Sequence, residues 1–506
     1  MAPHALGERI AAVVAINPSA DAIEFEGRWR TWGDLAATVL SVDERLPIPG
    51  TRIGVFLRNR PAPVGLLLGA LHAGACVVAI DPGRGAERIR REVASLDLPY
   101  LAGEPEDVAT LVDSESSATT LSVRDLGAAV EVVSVAERSR GSASSAHAPS
   151  PSSATADPGA SFDVAVQMLT SGTTGPPKRV DLSYETLWRV LAGAKHYESS
   201  RGEELRLRAG VAVVNSPLVH LGGLFRVLQC VADGRSFALL ERFSVPAWVD
   251  AVRRHRPATA SLVPAALRMV LDADLDPADL GSIRSVVSGT APLSPDDADA
   301  FTAKYGIPVL GSYAATEFGG GVAGWNVADH RRFWAVKRGS VGRAHAGCEL
   351  RVVDPEDGRV LAPDAEGLLE VKAGQLGDGT SWIRTTDLAR IDADGFLWIL
   401  GRADRVIIRG GFKVRPDDVR AALERHPRVR GAAVVSRPDP RLGAVPVAVV
   451  ELRAGDPITG ADLLAHASAT LSRYELPAEI RIVDALPRTP SAKVDLAAVG
   501  ALFAEG

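Results

Sequence analysis

The sequence is poor in cysteine, in aromatic residues and in any excess of positive charge. Its three cysteines, Cys76, Cys230 and Cys348, are too far apart to suggest a disulfide framework or a zinc site. The formal net charge of −6 excludes the basic surface that binds nucleic acid. No apolar run approaches the ~20 residues of a membrane-spanning helix, and the N-terminus is unlike a signal peptide. We therefore expect a cytoplasmic protein with no nucleic-acid partner and no membrane span.

The remaining composition is that of an ordinary globular protein, with 46% apolar and 23% charged residues. A chain of 506 residues is too long for one hydrophobic core, so we expect at least two domains. Residues 139–160 are rich in serine, alanine and proline and have almost no bulky apolar side chains. This composition predicts a flexible surface segment.

Hydrophobic patterning in the first hundred residues indicates parallel α/β layers. An apolar strand at 53–57, an apolar helix at 62–74 and a second strand at 76–80 have the spacing of a βαβ unit. Alternation around Glu26-Gly27 predicts a hairpin, and Thr31 is a candidate helix N-cap. After residue 339, short strands separated by Asp-Gly and Glu-Gly turns predict a small β-barrel or β-layer.

A loop rich in hydroxyl residues and glycine follows the apolar run at 164–169, which we interpret as a buried strand. Its residues are Thr170, Ser171, Gly172, Thr173, Thr174, Gly175, Pro176, Pro177 and Lys178. Backbone N–H groups in such a loop can converge on an anion, and the terminal lysine adds a positive charge. Two prolines separate the second glycine from the lysine, so the loop is not a Walker A motif. We predict that it binds a polyphosphate.

Polar residues follow three other predicted strands. His220 lies at a strand-to-helix turn beside glycines, where ligands tend to approach, although a lone histidine in apolar surroundings is more often structural. A second turn contains Gly289, Thr290 and Ala291, followed by Pro292 and Leu293. The third is Gly311, Ser312, Tyr313, Ala314, Ala315, Thr316 and Glu317. A hydroxyl and a carboxylate at a strand end can hold Mg²⁺, which takes oxygen ligands and bridges phosphates.

These motifs, in this order, resemble those of the adenylate-forming superfamily, which includes acyl-CoA synthetases, aryl-CoA ligases, peptide-synthetase adenylation domains and luciferases. The resemblance covers about residues 20–500 and continues through Arg384-Thr-Thr-Asp387 and Gly401-Arg402-Ala403-Asp404. It implies an α/β fold with a large N-terminal domain of parallel α/β layers and a small β-barrel-like subdomain. A small, mobile α+β lid would follow. We place the two domains at 1–402 and 403–506.

The resemblance also implies roles for residues of the large domain. Tyr313 would stack near adenine, Thr316 would contact the α-phosphate, and Glu317 would bind Mg²⁺. Asp387 would accept the ribose hydroxyls, and Arg402 would contact ribose or phosphate. The remaining ATP- or substrate-binding residues would be Thr170, Ser171, Gly172, Thr173, Thr174, Gly175, Lys178, Gly289, Thr290, Ala291, Gly311 and Ser312.

In the lid, the resemblance makes Lys493 the residue that enters the active site and binds the substrate carboxylate and the α-phosphate. Asp404 would be the hinge, Gly410 and Gly411 would line the route of a pantetheine thiol, and Lys413 would reach a phosphate. The sequence departs from the family pattern at three positions that are usually glycine, which are Ala314, Thr386 and Ala492.

Two features concern the substrate. The resemblance makes His220 a wall of the acyl pocket with a gating role. The aspartate by which amino-acid-activating relatives hold an ammonium group is missing, which disfavours an amino acid substrate. The run Gly319-Gly320-Gly321 has two interpretations that we weigh equally, a flexible loop or space for an acyl group.

The sequence thus predicts an ATP-dependent carboxylic acid–CoA ligase that uses ATP, Mg²⁺ and CoA on a fatty or aryl acid. One alternative is a stand-alone enzyme that loads a carrier protein in trans. Another is an enzyme that activates nitrite to diazotise an arylamine in natural-product biosynthesis. A third is a non-catalytic nucleotide-binding or scaffold protein, which the presence of Lys178, Glu317, Asp387 and Lys493 disfavours. A homodimer is compatible with the sequence, which does not indicate the oligomeric state.

Overall fold

The computed structural model describes residues 4–46, 48–133, 162–170, 178–193, 205–376, 379–455, 457–489 and 493–504. The predicted flexible segment 139–160 and loop residues Ser171 to Pro177 lie outside this described part. Its α-helices are Ala5–Val14, Trp32–Asp43, Pro61–His72, Ala86–Leu96, Pro105–Leu111, Tyr184–Gly193, Leu221–Ala232, Val245–His255, Pro264–Asp272, Pro295–Tyr305, Val327–Phe333, Pro416–Glu424, Gly460–Ser468 and Leu496–Ala501. Shorter 3₁₀ turns are Pro277–Leu280, Thr316–Phe318 and Ala403–Arg405. None of the described helices is long and apolar enough to cross a membrane.

A seven-stranded sheet organises the first part of the chain. In spatial order its strands are Glu131–Val133, Thr119–Ser122, Tyr100–Gly103, Arg52–Phe56, Cys76–Ile80, Val164–Thr170 and Lys178–Ser183. The central pairs are parallel and the two outermost pairs are antiparallel. Strand Arg52–Phe56, helix Pro61–His72 and strand Cys76–Ile80 confirm the predicted βαβ unit.

A second, four-stranded sheet has the order Arg208–Val214, Arg235–Leu239, Asp21–Phe25 and Arg28–Thr31. Its antiparallel edge is the predicted hairpin, in which Glu26 and Gly27 both have positive φ angles, as a tight hairpin turn needs. Thr31 begins the next helix with a capping box that Asp34 completes. Helix Pro61–His72 contributes to the same hydrophobic core as both sheets, which explains why nearly every residue of it is buried.

A third sheet carries much of the predicted chemistry. Its five strands, in order, are Thr259–Ser261, Ser285–Ser288, Val309–Ala315, Gly320–Gly324 and Arg343–Ala344. The first three run parallel, and the last two are antiparallel to their neighbours. The carboxyl ends of parallel strands are where α/β sheets place their ligands.

The interpretation of the glycine run at 319–321 as a flexible loop was wrong. Gly319 ends a 3₁₀ turn with a φ of 67°, and Gly320 begins a strand. A Cβ atom on Gly319 would lie 2.5 Å from Thr186 Cγ2, and one on Gly320 would lie 2.7 Å from Val190 Cγ1. The first two glycines therefore let this segment pack closely against helix Tyr184–Gly193. At these two positions that helix fills the space that the second interpretation gave to an acyl group.

The strand-rich region after residue 339 forms an antiparallel sheet of Cys348–Val353, Gly367–Ala373, Ile383–Ile391 and Leu397–Arg402. It is the predicted small β subdomain. The C-terminal part of the chain has its own sheet, with strands Phe412–Val414, Ile407–Arg409, Gly443–Leu452, Val429–Asp439 and Glu479–Val483. Helices Pro416–Glu424 and Gly460–Ser468 contribute buried residues to a separate core with this sheet. A large α/β domain followed by a small α+β domain is therefore confirmed.

Candidate active site

Two strands from different sheets bring Tyr313 and Asp387 together. The Tyr313 hydroxyl donates a hydrogen bond to Asp387 Oδ2, and the Asp387 backbone N–H donates to Thr385 Oγ1 at 3.0 Å. Burial and the Asp387 carboxylate both raise the pKa of the Tyr313 hydroxyl, so this tyrosine stays a donor. Burial raises the pKa of Asp387, while Tyr313 and Arg402 act in the opposite direction. Thr385 was not predicted as a site residue, because the sequence alone does not show that its hydroxyl accepts a hydrogen bond from the Asp387 backbone.

The strand that ends at Arg402 continues into the 3₁₀ turn Ala403–Arg405. There Arg402 donates from Nε and Nη2 to the two carboxylate oxygens of Asp404, at 2.9 and 2.7 Å. This fork raises the pKa of Arg402. Glu317 is exposed on the turn after Tyr313 and lies close enough to influence Tyr313, Asp387 and Arg402 electrostatically. Four predicted residues, Tyr313, Glu317, Asp387 and Arg402, therefore form one polar cluster.

Lys493 lies close enough to His220 to act on it electrostatically, although the two residues belong to different domains. Burial and the guanidinium of Arg405 lower the pKa of Lys493. Burial and then the Lys493 charge lower the pKa of His220 to about 4, against a smaller opposing effect of Asp81. Arg405 also interacts with Arg402 and Asp387, so it links Lys493 to the polar cluster. Arg405 was not predicted, because a sequence of several arginines does not show which one turns inward.

Two hydrogen bonds within the small domain hold the backbone at Lys493. Thr489 donates to the Lys493 carbonyl oxygen from its backbone N–H at 2.8 Å and from Oγ1 at 3.2 Å. Arg488 and Val494, which flank Thr489 and Lys493, form a β-bridge. The backbone at Lys493 is therefore fixed even though Ser491 and Ala492 lie outside the described residues.

His220 is the N-cap residue of helix Leu221–Ala232, as its position at a strand-to-helix turn predicted. Asn59 supports this turn from the other side. Its amide donates to Ser216 O at 2.9 Å and to Leu240 O at 3.1 Å, and its Oδ1 accepts from Leu218 N at 2.8 Å. The buried Nε2 atom of His220 has no hydrogen-bond partner among the residues that the structure describes. A buried nitrogen without a hydrogen bond raises the free energy of the folded protein. This position therefore suits a residue that lines a ligand pocket, where a bound ligand can contact the nitrogen.

We expect His220 to titrate with a pKa near 4, well below its ordinary value of 6.5. As the pH falls below 6.5 the unfolded chain takes up a proton, but the folded protein takes up none until about 4. The contribution of His220 to the free energy of unfolding is therefore present above pH 6.5 and is lost as the pH falls through 4. The measurement is NMR titration of labelled histidines, with His220→Gln to assign the signal. A His220 signal that titrates near 6.5 would contradict this burial.

The glycine turn after strand Ser285–Ser288 meets the Tyr313 strand. A Cβ atom on Gly289 would lie 3.0 Å from the Ser312 carbonyl oxygen, so the two backbones approach closely. Thr290 has a φ of 70°, and Thr290 and Ala291 are exposed. Gly311 precedes Ser312 in the strand and accepts a hydrogen bond from Trp325 N at 3.0 Å. Thr316 begins the 3₁₀ turn that carries Glu317. The structure therefore brings together the second and third of the predicted motifs.

Other predicted residues lie at the margins of this cluster or away from it. Thr170 and Lys178 are paired directly across the antiparallel edge of the seven-stranded sheet, so the two residues that bound the predicted phosphate loop lie side by side. Gly410 and Gly411, with φ angles of 56° and 90°, form the predicted turn on the small domain. A Cβ on Gly410 would contact Leu442 of the same domain, one on Gly411 would contact nothing, and Lys413 is exposed.

The comparisons with known proteins agree with this geometry. The family model described as "AMP-binding enzyme" matches residues 10–379, and "AMP-binding enzyme C-terminal domain" matches residues 418–493. The chain is 30% identical over 481 residues to 4-coumarate–CoA ligase 1 of Oryza sativa subsp. japonica, covering 89% of this chain and 83% of that protein. It is 33% identical over 343 residues to indoleacetate–CoA ligase of Aromatoleum aromaticum, covering 64% of each.

Among solved structures, ATP-bound MatB from Rhodopseudomonas palustris has the same fold, with a TM-score of 0.80, 24% identity and 99% of both chains covered. The first family model spans more than half of the chain, and the second lies in the small domain that carries Lys493. This chain therefore belongs to the AMP-binding enzyme family, and it is an adenylate-forming enzyme of the acid–thiol ligase type.

Proposed function

We propose that this enzyme is an ATP-dependent carboxylic acid–CoA ligase. It would convert an acid and ATP into an acyl-adenylate and pyrophosphate, and then convert the acyl-adenylate and CoA into an acyl-CoA and AMP. The observation that carries the proposal is the position of Lys493, which lies in the small domain within electrostatic range of His220 of the large domain and of Arg405, next to the polar cluster.

The first half-reaction joins two anions, because a carboxylate oxygen attacks the α-phosphorus of ATP and pyrophosphate leaves. The site must therefore supply positive charge where negative charge develops. Lys493 suits this task, because burial strengthens its interaction with an anion and a nearby anion favours the charged form of the lysine. We assign the β- and γ-phosphates to Lys178 and to the loop formed by Thr170, Ser171, Gly172, Thr173, Thr174 and Gly175. No protein nucleophile is needed, since positioning and charge suffice.

On the nucleoside side, we assign the ribose hydroxyls to Asp387 and Arg402. The hydrogen bond from Tyr313 fixes one carboxylate oxygen of Asp387 and leaves the other to accept. The Tyr313 ring, at the end of its strand, would stack on adenine, with the backbones of Gly289, Thr290, Ala291, Gly311 and Ser312 beside it. Thr316 would donate to the α-phosphate.

Glu317 fits a Mg²⁺ ion that is held mainly by the nucleotide. It offers an exposed carboxylate, which is the hard oxygen donor that Mg²⁺ prefers. Among the described residues, no group of three or more histidine, cysteine or acidic side chains is arranged to hold a metal ion. Mg²⁺ usually keeps several waters and phosphate ligands and takes only one or two carboxylates from a protein. When bound, the ion would neutralise part of the phosphate charge.

The second half-reaction needs a thiol at the acyl carbonyl, which Lys493 would approach during adenylation. We infer that the small domain rotates about Asp404, which lies close to the boundary that we place between residues 402 and 403. This rotation would carry Lys493 out of the active site. The turn at Gly410 and Gly411 and the exposed Lys413 would then face the CoA route. Their present exposure leaves them available for that movement.

We infer an aryl acid as the substrate class, because the relatives named above are 4-coumarate–CoA ligase and indoleacetate–CoA ligase. The neutral His220 imidazole presents no charge to an aromatic ring or an alkyl chain, so fatty acids belong in the same test.

The deciding experiment measures pyrophosphate release from ATP and Mg²⁺ with 4-coumarate, indole-3-acetate, fatty acids, amino acids and nitrite, each with and without CoA. We expect release that depends on an aryl acid and an acyl-CoA product by mass spectrometry. Acid-dependent release without a thioester would favour a carrier protein as the acceptor. Release with nitrite alone would overturn the substrate class, and ATP binding without any release would favour a non-catalytic protein.

A further inference from the structure

Three ion pairs between the two domains meet on one helix of the large domain, Pro264–Asp272, while Arg415 of the small domain pairs with Glu366 elsewhere, at 2.6 Å. In the middle of this helix, Arg268 donates from Nη2 to Glu424 of the small domain at 3.4 Å and from Nε to Asp297 of the large domain at 2.5 Å. One helical turn later, Asp272 forms ion pairs with two arginines of the small domain. These are Arg453, at 2.7 Å, and Arg430, at 3.2 Å.

The Arg268 contact is shielded from water. The side chains of Arg268 and Asp297 are each 14% exposed, and that of Glu424 is 12% exposed. Glu424 is held in place within its own domain by Arg420 Nη1 at 2.6 Å and by the Ala432 backbone N–H at 3.2 Å. A shielded ion pair is costly to break, because separation leaves a buried charge without its partner.

The order of charges selects one orientation of the small domain. Arg268 and Asp272 lie four residues apart on one helix face, so the large domain presents a positive charge and then a negative one. The small domain presents the complement, with Glu424 opposite Arg268 and Arg430 and Arg453 opposite Asp272. A shifted or rotated small domain would place like charges opposite each other, which is unfavourable.

Charged side chains form much of this contact. A cavity of about 260 Å³ lies at this junction, lined by Arg268, Asp297, Glu424, Arg430 and Arg453 among others. Polar interfaces of this kind are typical of domains that move relative to one another. The helix can therefore hold the small domain and also release it.

We propose that Arg268 and Asp272 are positioning residues for adenylation, which hold the small domain in the orientation that places Lys493 beside His220. This inference rests on the proposed function, since it assumes that Lys493 acts in the first half-reaction. Neither residue touches the reacting atoms. Each acts by stabilising one domain orientation over another, so their loss shifts the population away from the adenylating state.

The test compares two half-reactions in the full-length enzyme. ATP–pyrophosphate exchange with 4-coumarate reports adenylation, and CoA consumption with presynthesised 4-coumaroyl-adenylate reports thioester formation. In Arg268→Gln and Asp272→Asn we expect adenylation to fall about tenfold, with thioester formation unchanged or faster. Asp272 is the more exposed site, so its variant gives a result even if Arg268→Gln folds poorly. Arg268→Lys keeps the charge and should restore part of the adenylation rate.

Arg253→Gln is the matched control. Arg253 pairs with Asp279 at 2.8 and 2.6 Å, and both residues belong to the large domain. Its loss should leave the ratio of the two half-reactions unchanged. An equal loss of both half-reactions in Arg268→Gln and Asp272→Asn, or no loss in either, would overturn the proposal.

Hydrogen exchange separates failure of this inference from failure of the proposed function, because it needs no substrate. We expect both variants to raise amide exchange in helices Pro264–Asp272 and Pro416–Glu424, while strands Arg52–Phe56 and Cys76–Ile80 keep their protection. If the wild-type enzyme adenylates no acid but this exchange pattern holds, the domain contact stands and the proposed reaction fails. Unchanged exchange in both helices would overturn the domain contact itself.

Discussion

Replacing Lys493 by alanine is expected to lower the rate of adenylation by about 10²–10³-fold, the usual effect of removing one group that stabilises charge in a transition state. The reason is that Lys493 brings a positive charge into a half-buried site where a carboxylate meets a triphosphate. Thioester formation from a presynthesised adenylate should be spared, because in that step the small domain is expected to have carried Lys493 away.

The two rates are measured by ATP–pyrophosphate exchange and by CoA consumption with the presynthesised adenylate. Lys372→Ala is a suitable control, since Lys372 pairs with Glu349 within the small β subdomain at 2.7 Å and should leave both rates unchanged. If Lys493→Ala slowed both half-reactions equally, the idea that the small domain presents one face to the active site for adenylation and another for thioester formation would be wrong.

The pKa of Lys493 adds detail to this expectation. Burial and Arg405 both disfavour its charged form when no anion is present. ATP and the acid would reverse that effect, since nearby negative charge favours the ammonium. Substrate binding and protonation of Lys493 should therefore support each other, and this coupling is lost in the alanine variant.

Features that depend on neighbouring residues in the chain could be predicted from the sequence. The βαβ unit, the hairpin at Glu26-Gly27, the Thr31 cap and the turn at His220 each follow from local pattern, and the structure has all four. The family resemblance then predicted the two-domain architecture, because its motifs have a fixed order.

Features that depend on distant contacts could not be predicted in this way. Asn59 supports the His220 turn across 157 residues of sequence, and nothing near Asn59 in the chain indicates it. Arg268 and Arg405 are two among many arginines, and only the fold decides which of them meet the other domain or the site. The glycines at 319 and 320 were ambiguous for the same reason, because the helix they accommodate is more than 120 residues earlier.

The second large effect is expected at the turn that carries His220. Replacing Gly223 by alanine should destabilise this region by about 3 kcal/mol, the upper end of the usual cost of overpacking. A Cβ atom on Gly223 would lie 2.1 Å from the Pro217 carbonyl oxygen and 2.6 Å from that of Ser216. Both atoms belong to the backbone that Asn59 holds, so no change of side-chain rotamer can relieve the overlap.

Gly222→Ala is the matched control, because a Cβ atom there would meet nothing within 4 Å. Alanine should be tolerated at this neighbouring helix position or should stabilise it by up to about 1 kcal/mol, since alanine favours helix more than glycine does. The measurements are the thermal unfolding midpoint and hydrogen exchange in helix Leu221–Ala232. Equal behaviour of the two variants would show that the close backbone approach at Gly223 does not exist.

The comparison also tests whether this turn sets the environment of His220. Both glycines lie in the first turn of the same helix, so helix propensity and chain flexibility cannot explain a difference between their alanine variants. If Gly223→Ala opens the turn, water reaches the imidazole and the pKa of His220 should rise from about 4 toward its ordinary 6.5. Gly222→Ala should leave that pKa where it is. A rise in the pKa of His220 in Gly223→Ala alone would show that the backbone contact at Gly223 keeps this histidine neutral in the proposed acid pocket.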